Sequence, residues 1–327
     1  MMSSEKKSRK TAFQTNQEEL KVRAAWLYFV EGMTQEQVAQ HLNVSRIKTT
    51  RLLAAAREDG SVQITINAKA EPLVRLQRAL ERHLGLYEAI IVPSKNQSPT
   101  SVAAVIGHAT GTYISERVED GMTVGVGWGA TLQVCMRSLT WREVEEVTTV
   151  SLLGGLTRAT RQNPSAVAWR FAEFYRTEFY QVTAPAFVES PDLATALWNQ
   201  KDLQALKTKS LDIDIALISV SDVSKQASIF ERGLLTLDEC ASLRDAGAVA
   251  DVLCHFVDET GSIVEHPINK RVMAINPNQL RKVPKVVISA GGVRKAQAIR
   301  AGILATNASV LITDEMTALA LLELAAL

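Results

Sequence analysis

The chain has 327 residues and is nearly neutral, with 36 Lys and Arg against 35 Asp and Glu. At 46% hydrophobic and 22% charged residues it has core material for about two domains, which excludes a disordered chain or a disulfide-stapled miniprotein. No apolar run nears the roughly 18 residues of a membrane span. Residues 1–10 lack a signal-peptide pattern, and the distant Cys135, Cys240 and Cys254 fit reduced thiols, so a cytoplasmic chain is expected.

Residues 1–16 read as a flexible basic arm. Residues 1–60 hold ten Lys and Arg against seven Asp and Glu, which leaves the rest slightly acidic. A basic head on an acidic body suits a polyanionic partner. Helical periodicity starts near Glu18 and runs through Val22, Ala25, Trp26 and Phe29 to Gly32. A short helix over Thr34–His41 and a longer one over Ser45–Asp59 follow, and Val62–Ile66 alternates like a wing strand. Residues 17–68 thus form one small, all-α head. Residues 69–86 read as a linker helix whose Leu73, Leu76, Leu80 and Leu84 make a narrow helix-on-helix seam.

From residue 87 on, short apolar runs alternate with helices. The expected strands are Ala89–Val92, Thr123–Val126, Thr148–Leu153, Ile213–Val220, Val252–Val257, Val286–Ser289 and Val310–Thr313. The expected helices are Ser101–Val118, Pro164–Thr177, Asp192–Leu206, Val293–Ala301 and Glu315–Leu324. Continuous apolar strands separated by helices predict a large α/β domain with a mainly parallel sheet.

Inside the head, the run from Thr34 to Arg51 reads as a helix-turn-helix. Thr34 is placed to cap the second helix with Gln37 completing a capping box, Asn43 suits a left-handed turn, and Ser45 caps the third helix. Thr49, Leu52, Leu53 and Ala56 would face inward, leaving Arg46, Ile47, Thr50 and Arg51 outward. An Arg can take guanine with two hydrogen bonds, Thr can meet a thymine methyl, and nearby cations grip phosphate. The expected DNA-reading set is Thr34, Gln35, Ser45, Arg46, Ile47, Lys48, Thr50 and Arg51.

In the body, three strand-to-helix corners carry glycines. The first is Gly125–Thr131, the second is Gly154–Gly155 with Arg158, Arg161 and Asn163 behind it, and the third is Gly291–Lys295. Glycine lets backbone N–H groups approach an anion closely, and Thr131 and Lys295 add a hydroxyl and a cation. Asp314, at the next strand's end, either bonds a sugar hydroxyl or caps the final helix. Each corner alone is weak, because any tight turn uses glycine. Together they suggest one pocket beyond the carboxyl ends of the strands.

These residues resemble the SorC family of bacterial sugar-responsive transcriptional regulators. The likeness runs from about Ala24 to Leu322, through Gly32–Ala39, Ser45–Arg51, Arg57–Gly60, Gly125–Leu132, Leu153–Gly155, Ala184–Pro185, Gly247–Asp251, Ala290–Lys295 and Leu311–Glu315. Within the family it is similar to the deoxyribonucleoside-regulator group, and Ala24–Val30 is similar to the polyol-catabolism, erythritol-regulator branch. The resemblance implies a regulator that binds operator DNA and a phosphosugar isomerase-like body; with Val62–Ile66 as a wing strand, the head is expected to be a winged helix-turn-helix. The body would sense a phosphorylated sugar or polyol and self-associate to a dimer or tetramer, with no membrane partner and no cofactor. By position, Gly127, Trp128, Gly129, Ala130, Thr131 and Lys295 would hold the phosphate, and Gly155, Arg158, Asn163, Asp251 and Asp314 would line the remainder. Two departures, Ala250 and Ser219–Ser221, stand where many members carry glycine and would reshape the pocket.

The competing reading is a sugar-phosphate isomerase or deaminase with a helical appendage. Such catalysis needs a positioned base beside the phosphate grip. No Asp/Glu–His pair follows Gly127–Thr131, His255 and His266 flank a β-turn, and Cys254 and His255 would point to opposite faces of one strand. His41 and His83 fall on surface helices and His108 on an apolar one. Neither a catalytic set nor a metal site is expected.

Overall fold

The computed structural model describes residues 17–59, 61–62, 71–94, 98–156 and 163–325. The basic arm, most of the wing strand, Arg158 and Arg161 lie outside the described residues. The chain divides near residue 70 into two compact units.

Among the described residues, the first unit holds three helices, α1 (residues 17–29), α2 (Gln35–His41) and α3 (Arg46–Glu58). The capping box forms as the sequence predicts. Gln37 donates its backbone N–H to Thr34 Oγ1 at 3.3 Å, and Thr34 donates its own to Gln37 Oε1 at 2.8 Å. Asn43 takes the left-handed turn at φ 52°, and Ser45 accepts from Lys48 N at 3.2 Å to start α3. The small core gathers Ala24, Ala25, Leu27, Val38, Leu53 and Ala56. Buried Lys21 pairs with Glu18 at 2.6 Å and with Asp59, which ties α1 to the end of α3.

The second unit is built on a seven-stranded sheet in which every pairing is parallel. Its strands are β1 (Glu88–Val92), β2 (Thr123–Val126), β3 (Thr148–Ser151), β4 (Glu178–Tyr180), β5 (Ile215–Ile218), β9 (Lys285–Ser289) and β10 (Val310–Asp314). The spatial order is β1-β10-β9-β5-β2-β3-β4. A small antiparallel sheet adds β6 (Val220–Asp222), β7 (Ala250–Val252) and β8 (His255–Val257). Two apolar clusters, one on Leu152, Phe256 and Ile288 and one on Ile106, Phe171 and Leu217, make up the core.

The leucine stripe on α4 (Glu71–Leu84) is used within this unit. Leu80 is fully buried, Leu73, Leu76 and Leu84 pack on the core, and the helix lies against α14 (Glu315–Ala325) and β1. Several element boundaries differ from expectation. Ile213–Val220 is divided, because β5 stops at Ile218 and Val220 begins β6 in the other sheet. Val252–Val257 is a hairpin, because Leu253 and Cys254 turn with φ 53° and 64° between β7 and β8, so Cys254 sits in the turn instead of in a strand. Asp192–Leu206 splits into α8 (Pro191–Trp198) and α9 (Lys201–Lys209), since Asn199 ends one helix and extended Gln200 starts the next. Val293–Lys295 is a 3-10 turn ahead of α13 (Ala296–Thr306).

Candidate functional site

Strand order determines where a ligand can sit. From β2 the chain moves outward to β3 and β4, and from β5 it moves the opposite way to β9 and β10. The crevice between β2 and β5 is therefore the topological switch point, where the loops part and leave room beyond the carboxyl ends. A cavity of about 660 Å3 opens there. It is lined by Trp128–Thr131 after β2, by Ser219–Ser221 after β5, and by Gly291–Lys295 after β9. Ala103, Asp251 of β7 and Gln226, Ser228, Ile229, Glu231 and Arg232 complete the wall.

Gly129 precedes α6 (Ala130–Cys135) at φ 142°, and a β-carbon there would crowd the Ser219 side chain at 3.0 Å. Only glycine lets the α6 start and the β5 end approach this closely. Gly291 is equally constrained, because a β-carbon would run into Ile106 and the Asp314 carboxylate.

Charge in the cavity centres on Lys295. Burial pushes its ammonium pKa down, while Asp222 and Asp251 oppose that shift and Arg294 adds to it. Arg294 is held by Asp222, Nε to Oδ2, at 2.9 Å. Asp251 is buried, and its carboxyl is pushed up to about 7 by burial, against the Cys254 N–H at 2.8 Å and the nearby Lys295. A half-buried ammonium beside a carboxyl poised near neutrality suits an anion that carries hydroxyl groups.

Of the sequence-derived set, Trp128, Gly129, Ala130, Thr131, Asp251 and Lys295 converge on this cavity. Gly127 instead lies just past β2, donating its N–H to Leu217 O at 2.8 Å. Gly155 bridges to Pro185, and Asn163 caps α7 (Pro164–Tyr175) while bonding Leu156 at both ends of its amide. Asp314 accepts from Ser94 Oγ (2.9 Å), Gly292 N (2.9 Å), Met316 N (3.1 Å), Thr317 N (3.1 Å) and Thr317 Oγ1, so it caps α14 and anchors the Gly292 turn. The sequence reading passed over Gln226, Ser228, Glu231, Arg232 and Arg294. The first four come from the segment after β6, which carries no glycine corner, and the signal that could have found Arg294 was its place beside Lys295.

His255 is buried and pushed down to about 4 by its burial, so it is neutral near pH 7. Among the described residues no group of His, Cys, Asp and Glu is arranged to hold a metal ion, and no helix is long and apolar enough to cross a membrane.

In the first unit, α3 turns Thr49, Leu53 and Ala56 inward and leaves Arg46, Ile47, Lys48, Thr50 and Arg51 exposed. Thr50 Oγ1 donates to Gln35 Oε1 at 3.0 Å, which fixes the start of α2 against the outer face of α3. Thr34 and Ser45 serve as caps.

A family model described as "Putative sugar-binding domain" matches residues 68–323. The chain is 31% identical over 307 residues to the deoxyribonucleoside regulator of Bacillus subtilis, covering 94% of this chain and 98% of that one. It is also 31% identical to the erythritol catabolism regulatory protein EryD of Brucella abortus, over 93% and 96% of the two chains. In fold it is similar to the full-length sorbitol operon regulator SorC of Klebsiella pneumoniae, with a TM-score of 0.73 at 23% identity over 93% and 98% of the chains.

Proposed function

Since this chain belongs to the SorC family of sugar-binding transcriptional regulators, we propose that it binds operator DNA through α3 and is controlled by a phosphorylated sugar or polyol in the switch-point cavity. The reading is of a regulator and not an enzyme, as its named relatives are. The observation that carries the effector assignment is the half-buried Lys295 in a cavity also lined by the Gly129–Thr131 turn. An anionic group neutralises the ammonium and takes turn N–H groups, while Asp251, Ser219 and Ser221 meet hydroxyls. Closing these loops on a ligand favours one arrangement of the body, and the ligand's unequal affinity for the two arrangements sets DNA occupancy.

The test is fluorescence anisotropy with the gene's own upstream duplex against an unrelated one, at fixed salt, across a panel of phosphorylated sugars and polyols. One compound that shifts specific binding supports the reading, and chemical consumption of the panel would favour the isomerase or deaminase alternative. Two variants sharpen it. Lys295→Met keeps most of the side chain's bulk and should weaken effector affinity by about tenfold to hundredfold in calorimetric titration, the worth of one charge-assisted contact. Its effector-free DNA affinity should be unchanged. Arg46→Ala should cost about 1–3 kcal/mol on the preferred sequence and relax discrimination at one base position. A uniform loss on all duplexes would instead place Arg46 on phosphate.

A further inference from the structure

The carboxylate of Asp222, at the end of β6, is only half used by the fold. Its Oδ2 holds Arg294 Nε at 2.9 Å, while Oδ1 is buried and has no hydrogen-bond partner among the described residues. The residue is 8% exposed, so bulk water does not reach that oxygen freely. Two residues on, Ser224 Oγ is likewise buried without a partner. Buried polar atoms give up their hydration and normally gain a bond in return, so two bare ones side by side call for a ligand.

Both residues line a second cavity, of about 420 Å3, distinct from the one at the switch point. Alternation along β6 puts Asp222 on the face of Val220, whose side chain packs on Gly302 of α13, so the carboxylate is turned toward the start of that helix. Opposite it, α11 (Leu237–Asp245) supplies the exposed Arg244 from its last turn. Arg294 lines both cavities, whereas Asp222, Ser224, Arg244 and Gln297 line only this one. The neighbouring Cys240 thiol is pushed up by burial, with Arg244 and Lys225 opposing that shift and Asp222 adding to it, so two further cations gather about the carboxylate.

We propose that this cavity is a second ligand site, for a small hydroxylated anion such as a sugar acid or a polyol phosphate. Its anionic group meets Arg244 and Arg294, and its hydroxyl donates to Asp222 Oδ1 and bonds Ser224 Oγ. Both functions are needed in one molecule. A bare anion leaves Oδ1 without a donor, a cation meets two guanidinium groups, and a neutral polyol leaves Arg244 without a counter-charge. The site does not depend on the effector reading, because Lys295 has no part in it.

The test is calorimetric titration of the full-length chain with glycerol 3-phosphate and with glycerate, beside propyl phosphate and propionate, which keep the charge but lack the hydroxyls. A Lys295→Met background weakens anion binding in the switch-point cavity and leaves this one intact. In it, either hydroxylated probe should bind at one site per chain, about tenfold more tightly than its counterpart without hydroxyls. Adding Arg244→Gln should weaken that binding by at least about tenfold, and adding Ser224→Ala by about threefold. Arg244 is exposed and Ser224 Oγ holds no partner among the described residues, so both variants should keep the thermal unfolding midpoint of their background. If Lys295→Met abolishes all binding of the probes, or if neither Arg244→Gln nor Ser224→Ala changes what remains, the second site is overturned and water alone serves Oδ1. Equal affinity for propyl phosphate overturns the role given to Asp222. Binding lost with Lys295→Met but kept with Arg244→Gln would defeat this site and leave the effector reading standing, and the reverse pattern would do the opposite.

Discussion

Asp251→Asn is expected to stabilise the protein above pH 7 and to flatten its stability profile between about pH 4 and 7. Asp251 is buried and accepts the Cys254 N–H at 2.8 Å, with Lys295 lowering its pKa from nearby. Burial still prevails and raises the carboxyl from 3.8 to about 7. A carboxyl raised on folding favours the folded state while it is protonated, and that contribution disappears as pH climbs through the folded value. The ionised group then costs up to about 4 kcal/mol, three pH units at 1.36 kcal/mol each. Asn keeps the acceptor for Cys254 N–H and never ionises. Thermal unfolding at pH 5 and pH 8 should show the variant gaining mainly at pH 8. Equal gains at both would mean that Asp251 titrates normally. The variant should also bind effector more weakly, since the carboxylate that accepts hydroxyls and balances Lys295 is gone. An ionisable group kept at such cost marks a site held ready for a ligand.

The helices described in the first unit were legible in the sequence because their signals are local. Thr34 with Gln37, Asn43 and Ser45 each act within four residues, and the structure places every one as its chemistry demands. The sheet was legible too, since buried parallel strands read as unbroken apolar runs. The membership of the cavity was not. Three glycine corners look alike in sequence, and strand order alone separates them. Those after β2 and β9 face the crevice over β5, while the one after β3 lies a strand too far out and is spent on Pro185 and α7. Order is a long-range property, set by β5 inserting between β2 and β9. Arg232 and Gln226 escaped for a related reason, as they reach the cavity from a short segment with no periodicity to announce it. The Leu253–Cys254 turn was hidden because apolar residues occupy left-handed positions where Gly or Asn is the usual sign.

Asp314→Ala should produce the largest loss of stability, about 3–5 kcal/mol by denaturant unfolding. The carboxylate collects five donors, from Ser94, Gly292, Met316 and Thr317, the last with both backbone and hydroxyl. Alanine would strand them in a buried corner and uncap α14 together. Asn can serve the α14 N–H groups but not also accept from Gly292 and the Thr317 hydroxyl, so Asp314→Asn should recover about half. Effector affinity should fall in the same order, because Gly292 frames the turn before Lys295. The two aspartates titrate in opposite senses for one reason. Burial raises both, but Asp314's donors outweigh it and hold its carboxyl below 3.8, whereas Asp251 has a single backbone donor. The stability Asp314 contributes is thus present above its unfolded value and lost as pH falls through its folded one. Asp314→Ala should remove part of the acid limb of the stability profile, where Asp251→Asn removes the rise in cost toward neutral pH. An unaltered acid limb would show that another carboxylate governs acid unfolding. Five donors fix a wall, and one donor leaves a carboxyl available to whatever enters the cavity.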